Sequence, residues 1–303
     1  GIPLIKALRE GFAANRIDTI FGILNGTANY ILTRMSEQGL SFAEALGEAQ
    51  HHGYAEADPT LDVEGIDTAH KLALVSALAF GSPVRLDQVY VEGISQIDPL
   101  DIQFVEEFGY RLKLLAIGRH DQGLLEMRVH PTMIPSNHVL ASVKGAYNAV
   151  YIHGNAVGNV MLYGLGAGMM PTGSAVASDL MDLARDMLQG RPNRVPPLAF
   201  LADRLRDIPV KPISEVRLCY YFRFSAMDRP GVLSKVSGIL GDNHISIASV
   251  IQKGRQVGGA VPIVMLTHEA RESDVRSALG AIDRLDVVQA PTRLIRIENN
   301  AIN

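Results

Sequence analysis

The chain is poor in cysteine, in long apolar runs and in excess charge of either sign. Cys219 is the single cysteine among 303 residues, so an internal disulfide framework is excluded and a reducing compartment is favoured. The most apolar run, residues 72–80, covers about nine residues, roughly half of a bilayer span. The net charge is −4 with both signs interspersed, and there is no basic stripe or polybasic patch. Nucleic acid and membrane surfaces are therefore not expected partners. No secretory signal is visible, and the expected location is the cytoplasm. With 47% hydrophobic and 20% charged residues, the composition suits a globular protein of about two domains. The first residue is Gly1, and residues 2–8 already read as the start of a helix. The chain is therefore expected to be a piece of something longer.

Strand and helix signals interleave without a regular βαβ period, which predicts an α+β fold with a mixed sheet. Pro3 opens a helix to Arg9, and residues 19–24 read as a strand ended by Asn25-Gly26. Residues 27–37 have helical spacing. Ser41 and Glu44 form a capping-box pattern, and Asp62 reads as the N-cap of a helix running to Phe80. Residues 111–118 and 124–131 flank a hairpin turn. Two strands at 149–152 and 160–163 follow, then a helix capped by Thr172 and running to about Leu188. The expected first domain is 1–190. Pro192, Pro196, Pro197, Pro209 and Pro212 mark a linker over 191–214. Residues 215–300 then read strand–helix–strand–strand–helix–strand, the order of a ferredoxin-like unit.

The most informative stretch is 53–71. Asp67 and Lys71 are four apart and share a helix face, which continues to Leu74 and Leu78. An ordinary i,i+4 salt bridge is one reading, worth some ~0.3–0.5 kcal/mol when exposed. The other is a functional cluster, because Glu56, Asp58 and Asp62 lie in the preceding loop and several carboxylates around one lysine make a poor stability device. Such a group suits a small zwitterionic substrate: carboxylates hold its ammonium and the lysine donates to a polarised oxygen. A hard-cation site competes, but Lys71 in its midst argues against it. His51, His52 and His70 carry no metal-ligand spacing and read as surface or supporting residues.

Gly164, Gly166 and Gly168 form a GxGxG turn, not the GxGxxG dinucleotide fingerprint. It can let a ligand approach the backbone closely, or can simply pack a strand tightly against a helix. Asn25-Gly26-Thr27 is a similar strand-to-helix turn.

Together these pieces resemble homoserine dehydrogenase. The stretch from Gly53-Tyr54-Ala55-Glu56 through Asp62 and Asp67 to Lys71 is similar to that family's signature. Residues 25–32 and 163–168, with Pro171-Thr172, resemble its two turns, so the match covers 1 to about 188. The resemblance implies NAD- or NADP-dependent interconversion of L-homoserine and L-aspartate 4-semialdehyde, on the way to threonine, methionine and isoleucine. It implies Lys71 as proton donor and Asp67 as its orienting partner. Glu56 and Asp62 would hold the substrate ammonium, with Tyr54, Gly26 and Thr27 nearby, and Gly26 and Gly168 would edge the nicotinamide. In this family a Rossmann domain precedes the matched region, and no such segment is present in these 303 residues. A monovalent-cation loop straddles that junction. Here only the Ile2 carbonyl could supply one of its ligands, so no well-formed cation site is expected. The 303-residue chain is expected to bind NADPH weakly and to turn over negligibly.

Residues 228–233 (Asp-Arg-Pro-Gly-Val-Leu) and 243–247 (Asn-His-Ile-Ser-Ile) resemble an ACT domain, an amino-acid-sensing module. This implies an effector, expected to be threonine, held by Gly231, Asn243 and Ile245. The bland reading is that Pro230-Gly231 makes a turn and the sheet serves dimerisation. A homodimer or homotetramer is expected, because open sheet edges invite pairing. The alternative to the enzyme is a non-catalytic amino-acid sensor in which the first domain is a dimerisation scaffold.

Overall fold

The computed structural model describes residues 1–190, 194–252 and 260–299. Pro192 of the expected linker and residue 300 of the expected C-terminal domain lie outside them. The chain divides into two compact units. The first contains Gly1–Ile102, Lys113–Pro131 and Val139–Lys211; the second contains Gln103–Leu112, Thr132–His138 and the chain from Pro212 on.

The elements run α1 (Leu4–Lys6), β1 (Ile17–Ile23), α2 (Gly26–Gln38), α3 (Phe42–His51), α4 (Thr60–Val63), α5 (Ile66–Phe80), β2 (Tyr90–Val91), α6 (Pro99–Glu107), β3 (Tyr110–Asp121), β4 (Leu124–Pro135), β5 (Tyr147–Gly154), β6 (Gly158–Leu165) and α7 (Met169–Leu188). In the first unit the sheet order is β6–β5–β1–β3–β4, with β2 beside β4. Neighbours around β1 and β5 are antiparallel, whereas β2 runs parallel to β4, so the sheet is mixed as expected. Gln122 and Gly123 both take positive φ, 50° and 81°, the geometry of a tight hairpin turn between β3 and β4. Gly39 (φ 67°) and Gly81 (φ 64°) end α2 and α5 in left-handed caps.

Local chemistry explains most boundaries. The capping box forms: the Ser41 amide donates to Glu44 Oε2 at 2.8 Å, and the Glu44 amide donates to Ser41 Oγ at 3.3 Å. Three expectations are corrected. The first helix is a single short turn followed by a wider π-type turn over Ala7–Gly11. The Thr172 helix instead starts at Met169, capped by Gly168 with φ 114°. Asp62 does not cap α5. It sits inside α4, and Gly65 in the left-handed region (φ 78°) separates α4 from α5. Its freed carboxylate becomes available to the site.

Helix α5 buries Ala69, Leu72, Val75, Leu78 and Phe80, each large side chain contributing about 1.5–3 kcal/mol. An all-round apolar run like 72–80 is normally buried on every side, but here Leu74 is 66% exposed. The open face of α5 is where Lys71 stands.

The second unit has β7 (Arg217–Met227), α8 (Val232–Asp242), β8 (Ile247–Gln252), β9 (Ala260–Thr267), β10 (Ala270–Arg271), α9 (Glu272–Ile282) and β11 (Val288–Ile297). Its sheet order is β11–β7–β9–β8, which with two helices is the ferredoxin-like arrangement expected. Thr132 and Met133 at the end of β4 pair in parallel with Arg296 and Ile297. Leu218, Tyr220, Phe222 and Phe224 share one face of β7 and pack on Val232, Val236 and Leu240 of α8 and on Val275 and Ala278 of α9. Within this core lies an ionic lock. Arg296 donates through Nε (3.0 Å) and Nη2 (2.6 Å) to the two oxygens of Glu272, and the Tyr220 hydroxyl adds a third bond at 3.0 Å.

Candidate active site

The site is built around the turn that joins β1 to α2. Asn25 is the N-cap of α2: its Oδ1 accepts from the Ala28 amide at 2.8 Å, satisfying one of the helix's free donors. The turn can be this tight because residue 26 is glycine, where a Cβ would lie 2.7 Å from the Ala146 carbonyl oxygen. Beside it, Asn148 of β5 donates to the Ile23 carbonyl at 3.1 Å, and Thr27 Oγ1 donates to the Tyr54 carbonyl at 2.6 Å. Tyr54 in turn lies against the ring of Tyr30, with centroids 4.8 Å apart.

Lys71 reaches this turn from α5. Its Nζ donates to Asp67 Oδ2 at 2.6 Å and to the Leu24 carbonyl at 3.1 Å. The pair is less buried than the sequence suggested, at 48% and 30% side-chain exposure. Asp62 joins from α4 through Asn25, whose Nδ2 donates to Asp62 Oδ1 at 2.7 Å and to Asp67 Oδ2 at 2.9 Å. One cavity of about 620 Å³ is lined by Lys71, Asp67, Asp62, Tyr54, Thr27 and Gly26, and also by Ile2, Asn25, Asn148, Gly166 and Gly168. That volume falls in the ordinary range of small-molecule sites, about 300–1,000 Å³.

The other expected residues are placed as follows. Glu56 is exposed and does not line the cavity; its backbone carbonyl accepts from Gln50 Nε2 at 3.1 Å. Asp58 is occupied locally, accepting from the Thr60 hydroxyl at 2.6 Å and from its amide at 3.1 Å. His52 lines the cavity beside Tyr54. The Ile2 carbonyl already accepts from the Leu4 amide at 2.8 Å. Among the described residues no group of three or more His, Cys, Asp or Glu could hold a metal ion, and no helix is long and apolar enough to cross a membrane.

Asn148, the Leu24 carbonyl and the bridging role of Asn25 were not foreseen. An asparagine just before Gly-Thr at a helix start is an N-cap signal that would have found Asn25. Asn148 carries no local signal.

The rim of the cavity is lined by Gly166 and Gly168. A Cβ at Gly166 would press on Asn148 Oδ1, and Gly168 takes φ 114°, so close packing and backbone conformation both call for glycine there.

In the second unit, Gly231 takes φ 88° at the start of α8. Asn243 ends that helix, with its Nδ2 donating to the Ile239 carbonyl at 2.9 Å. Ile245 is a buried core residue, and its amide donates to the Leu240 carbonyl at 2.9 Å.

The homoserine dehydrogenase family matches residues 3–181 and the ACT domain family matches residues 220–287. The chain is 48% identical over 299 residues to the homoserine dehydrogenase of Pseudomonas aeruginosa, covering 98% of this chain and 69% of that protein. Among solved structures, a homoserine dehydrogenase from Thiobacillus denitrificans matches with a TM-score of 0.92 at 49% identity, over 98% of this chain and 68% of that one. A hyperthermophilic archaeal homoserine dehydrogenase in complex with NADPH matches with a TM-score of 0.51 at 30% identity, over 59% of this chain and 51% of that one. With a family match over most of its first unit and close relatives along nearly its whole length, the chain belongs to the homoserine dehydrogenase family, NAD(P)-dependent oxidoreductases, and carries an ACT domain.

Proposed function

We propose that the cavity at the β1–α2 turn interconverts L-homoserine and L-aspartate 4-semialdehyde, with Lys71 as acid–base group. The observation that carries this is the pairing of Lys71 Nζ with Asp67 Oδ2 and the Leu24 carbonyl at the wall of a cavity of substrate size. Gly26 and Gly168 would edge the nicotinamide of NAD(P)H, which when bound would supply the hydride in the reducing direction. As the aldehyde carbon becomes an alcohol carbon, negative charge grows on its oxygen, and a cationic donor aimed there lowers the barrier. Lys71 gives that oxygen a proton. In the oxidising direction neutral Lys71 takes it back. Asp67 and the Leu24 carbonyl, the two fixed acceptors of Nζ, hold the amino group in place.

Asp62, whose carboxylate lines the cavity, is proposed to take the substrate ammonium, with Thr27 and Tyr54 closing that end. Glu56, two residues from Tyr54 on an exposed loop, is the second candidate for it. NADP is the proposed cofactor, supported by the NADPH bound to the archaeal relative. No monovalent cation is proposed, because only the Ile2 carbonyl could offer it a ligand from these residues, and no step depends on one. These 303 residues alone are proposed to bind NADPH weakly, since no strand–GxGxxG–helix segment occurs in them.

The ACT module is proposed to bind L-threonine across a pair of such modules, its carboxylate at the Gly231 end of α8 in one and its ammonium at Asn243 Oδ1 of the other, because Gly231 and Asn243 stand at opposite ends of that helix. Assembly is proposed as a homodimer or homotetramer, supported by the open edge strand β6 and the exposed stacked rings of Tyr147 and Tyr163, 5.1 Å apart. The single cysteine supports a cytoplasmic location.

The test is Lys71→Ala in the enzyme as its gene encodes it, assayed for homoserine-dependent NADPH formation. Retention of parental turnover would remove Lys71 from the chemistry.

A further inference from the structure

Asn25 does more than start a helix. The residue is 6% exposed, and its side chain uses both ends. Oδ1 caps α2 through the Ala28 amide at 2.8 Å, while Nδ2 donates to Asp62 at 2.7 Å and to Asp67 at 2.9 Å, residues 37 and 42 positions away. Only this orientation of the amide satisfies all three partners, because the opposite one would turn an oxygen toward two carboxylates and an NH₂ toward a backbone N–H. Asp67 Oδ2 is therefore held from two sides, by Asn25 and by Lys71. The residue just before Asn25 supplies the second acceptor for Lys71.

We propose that Asn25 is a positioning residue for the reaction: its amide clamps the Asp62 and Asp67 carboxylates side by side and thereby fixes where Lys71 meets the substrate oxygen. This rests on the assignment of Lys71 and Asp67 made above. The cap alone does not explain an amide here, since aspartate and serine cap helices about as well as asparagine. What asparagine adds is a neutral double donor where two like charges converge. Aspartate would put a third carboxylate against them, and serine would offer at most one donor.

The two demands separate experimentally. Asn25→Asp keeps the cap and reverses the clamp. The expected result is circular dichroism and a thermal midpoint close to the parent's, with kcat for homoserine oxidation reduced about 100-fold, the scale on which small misplacements of reacting groups act. The acidic limb of the pH–rate profile should also move to higher pH, because an added anion makes its neighbours harder to ionise. Asn25→Ser keeps the cap without adding charge. It should lower kcat at least tenfold with that limb unmoved, and it serves as the test if the aspartate variant fails to fold. Parental kcat and an unmoved profile in both variants, or in the serine variant alone should the other not fold, would leave Asn25 a helix cap and overturn the proposal. The assignment beneath it fails separately, if Lys71→Ala keeps its activity.

Discussion

Gly166 runs so close to Asn148 that a methyl group on it would press on the amide oxygen and lie 2.7 Å from Cγ. Asn148 has nowhere to retreat, being buried and tied to the Ile23 carbonyl at 3.1 Å. Gly166→Ala should therefore move the glycine-lined rim away from β5, costing about 1–3 kcal/mol of stability, as overpacking does. The KM for NADP should rise more than that for homoserine. Urea unfolding and two-substrate kinetics measure both, and an alanine variant with parental KM for NADP would count against Gly166 and its neighbours as the nicotinamide edge.

Lys71→Ala and Asp67→Asn should lower kcat by about 10²–10⁴, the usual contribution of a positioned acid–base group. Stability should change little, because the Lys71 and Asp67 side chains are 48% and 30% exposed and i,i+4 pairs of this kind contribute only some 0.3–0.5 kcal/mol. Activity and thermal melts on the same preparations make the comparison. A large loss of stability with modest loss of kcat would mark the pair as structural.

The Glu272–Arg296 lock gives the second unit a defined acid sensitivity. Burial raises the Glu272 pKa, but the Arg296 bonds, the charges of Arg296 and Arg276 and the Tyr220 hydroxyl outweigh it, and the net value lies below the usual carboxylate range. A depressed folded pKa means that the stabilisation is present above the unfolded value of about 4.3 and is lost as pH falls through the folded value. Glu272→Gln should cost about 3–5 kcal/mol near neutrality, as removal of one partner of a buried pair does. It should also flatten the loss of stability on acidification. Denaturant titrations at pH 7 and below pH 4 test both parts.

Calorimetry should detect L-threonine binding to the C-terminal module, and Asn243→Ala should weaken it at least tenfold. Since Asn243 Nδ2, among the described residues, bonds within the end of its own helix, that substitution should leave the melting temperature within a few degrees of the parent's. Absence of heat with threonine and with the other amino acids would leave the module a scaffold.

The residues legible in sequence were those whose relation is local. Asp67 and Lys71 are one turn apart on α5, so spacing alone puts them on one face, and Ser41 with Glu44 announces its own cap. The element order of the second unit was legible, and its first strand showed itself because Leu218, Tyr220, Phe222 and Phe224 alternate onto one face. What escaped was non-local or ambiguous. Asn25 meets Asp62 only after α2 and α4 come together in space. Asp62 looked like the start of α5 because nothing local shows that Gly65 adopts a left-handed turn there. Helix α6 went unread because Leu100, Ile102 and Phe104 alternate like a strand before Val105 breaks the pattern.

Helix α5 carries Asp67 and Lys71 near its first residue, while its far end packs Leu78 and Phe80 into the interior and closes on Gly81, whose carbonyl accepts from the Arg206 amide at 2.9 Å. The acid–base pair is thus mounted on a rod anchored at the opposite end, not on an independent loop. Warming cannot loosen the rod without dissolving the hydrophobic interior around it, so inactivation and global melting should share one midpoint.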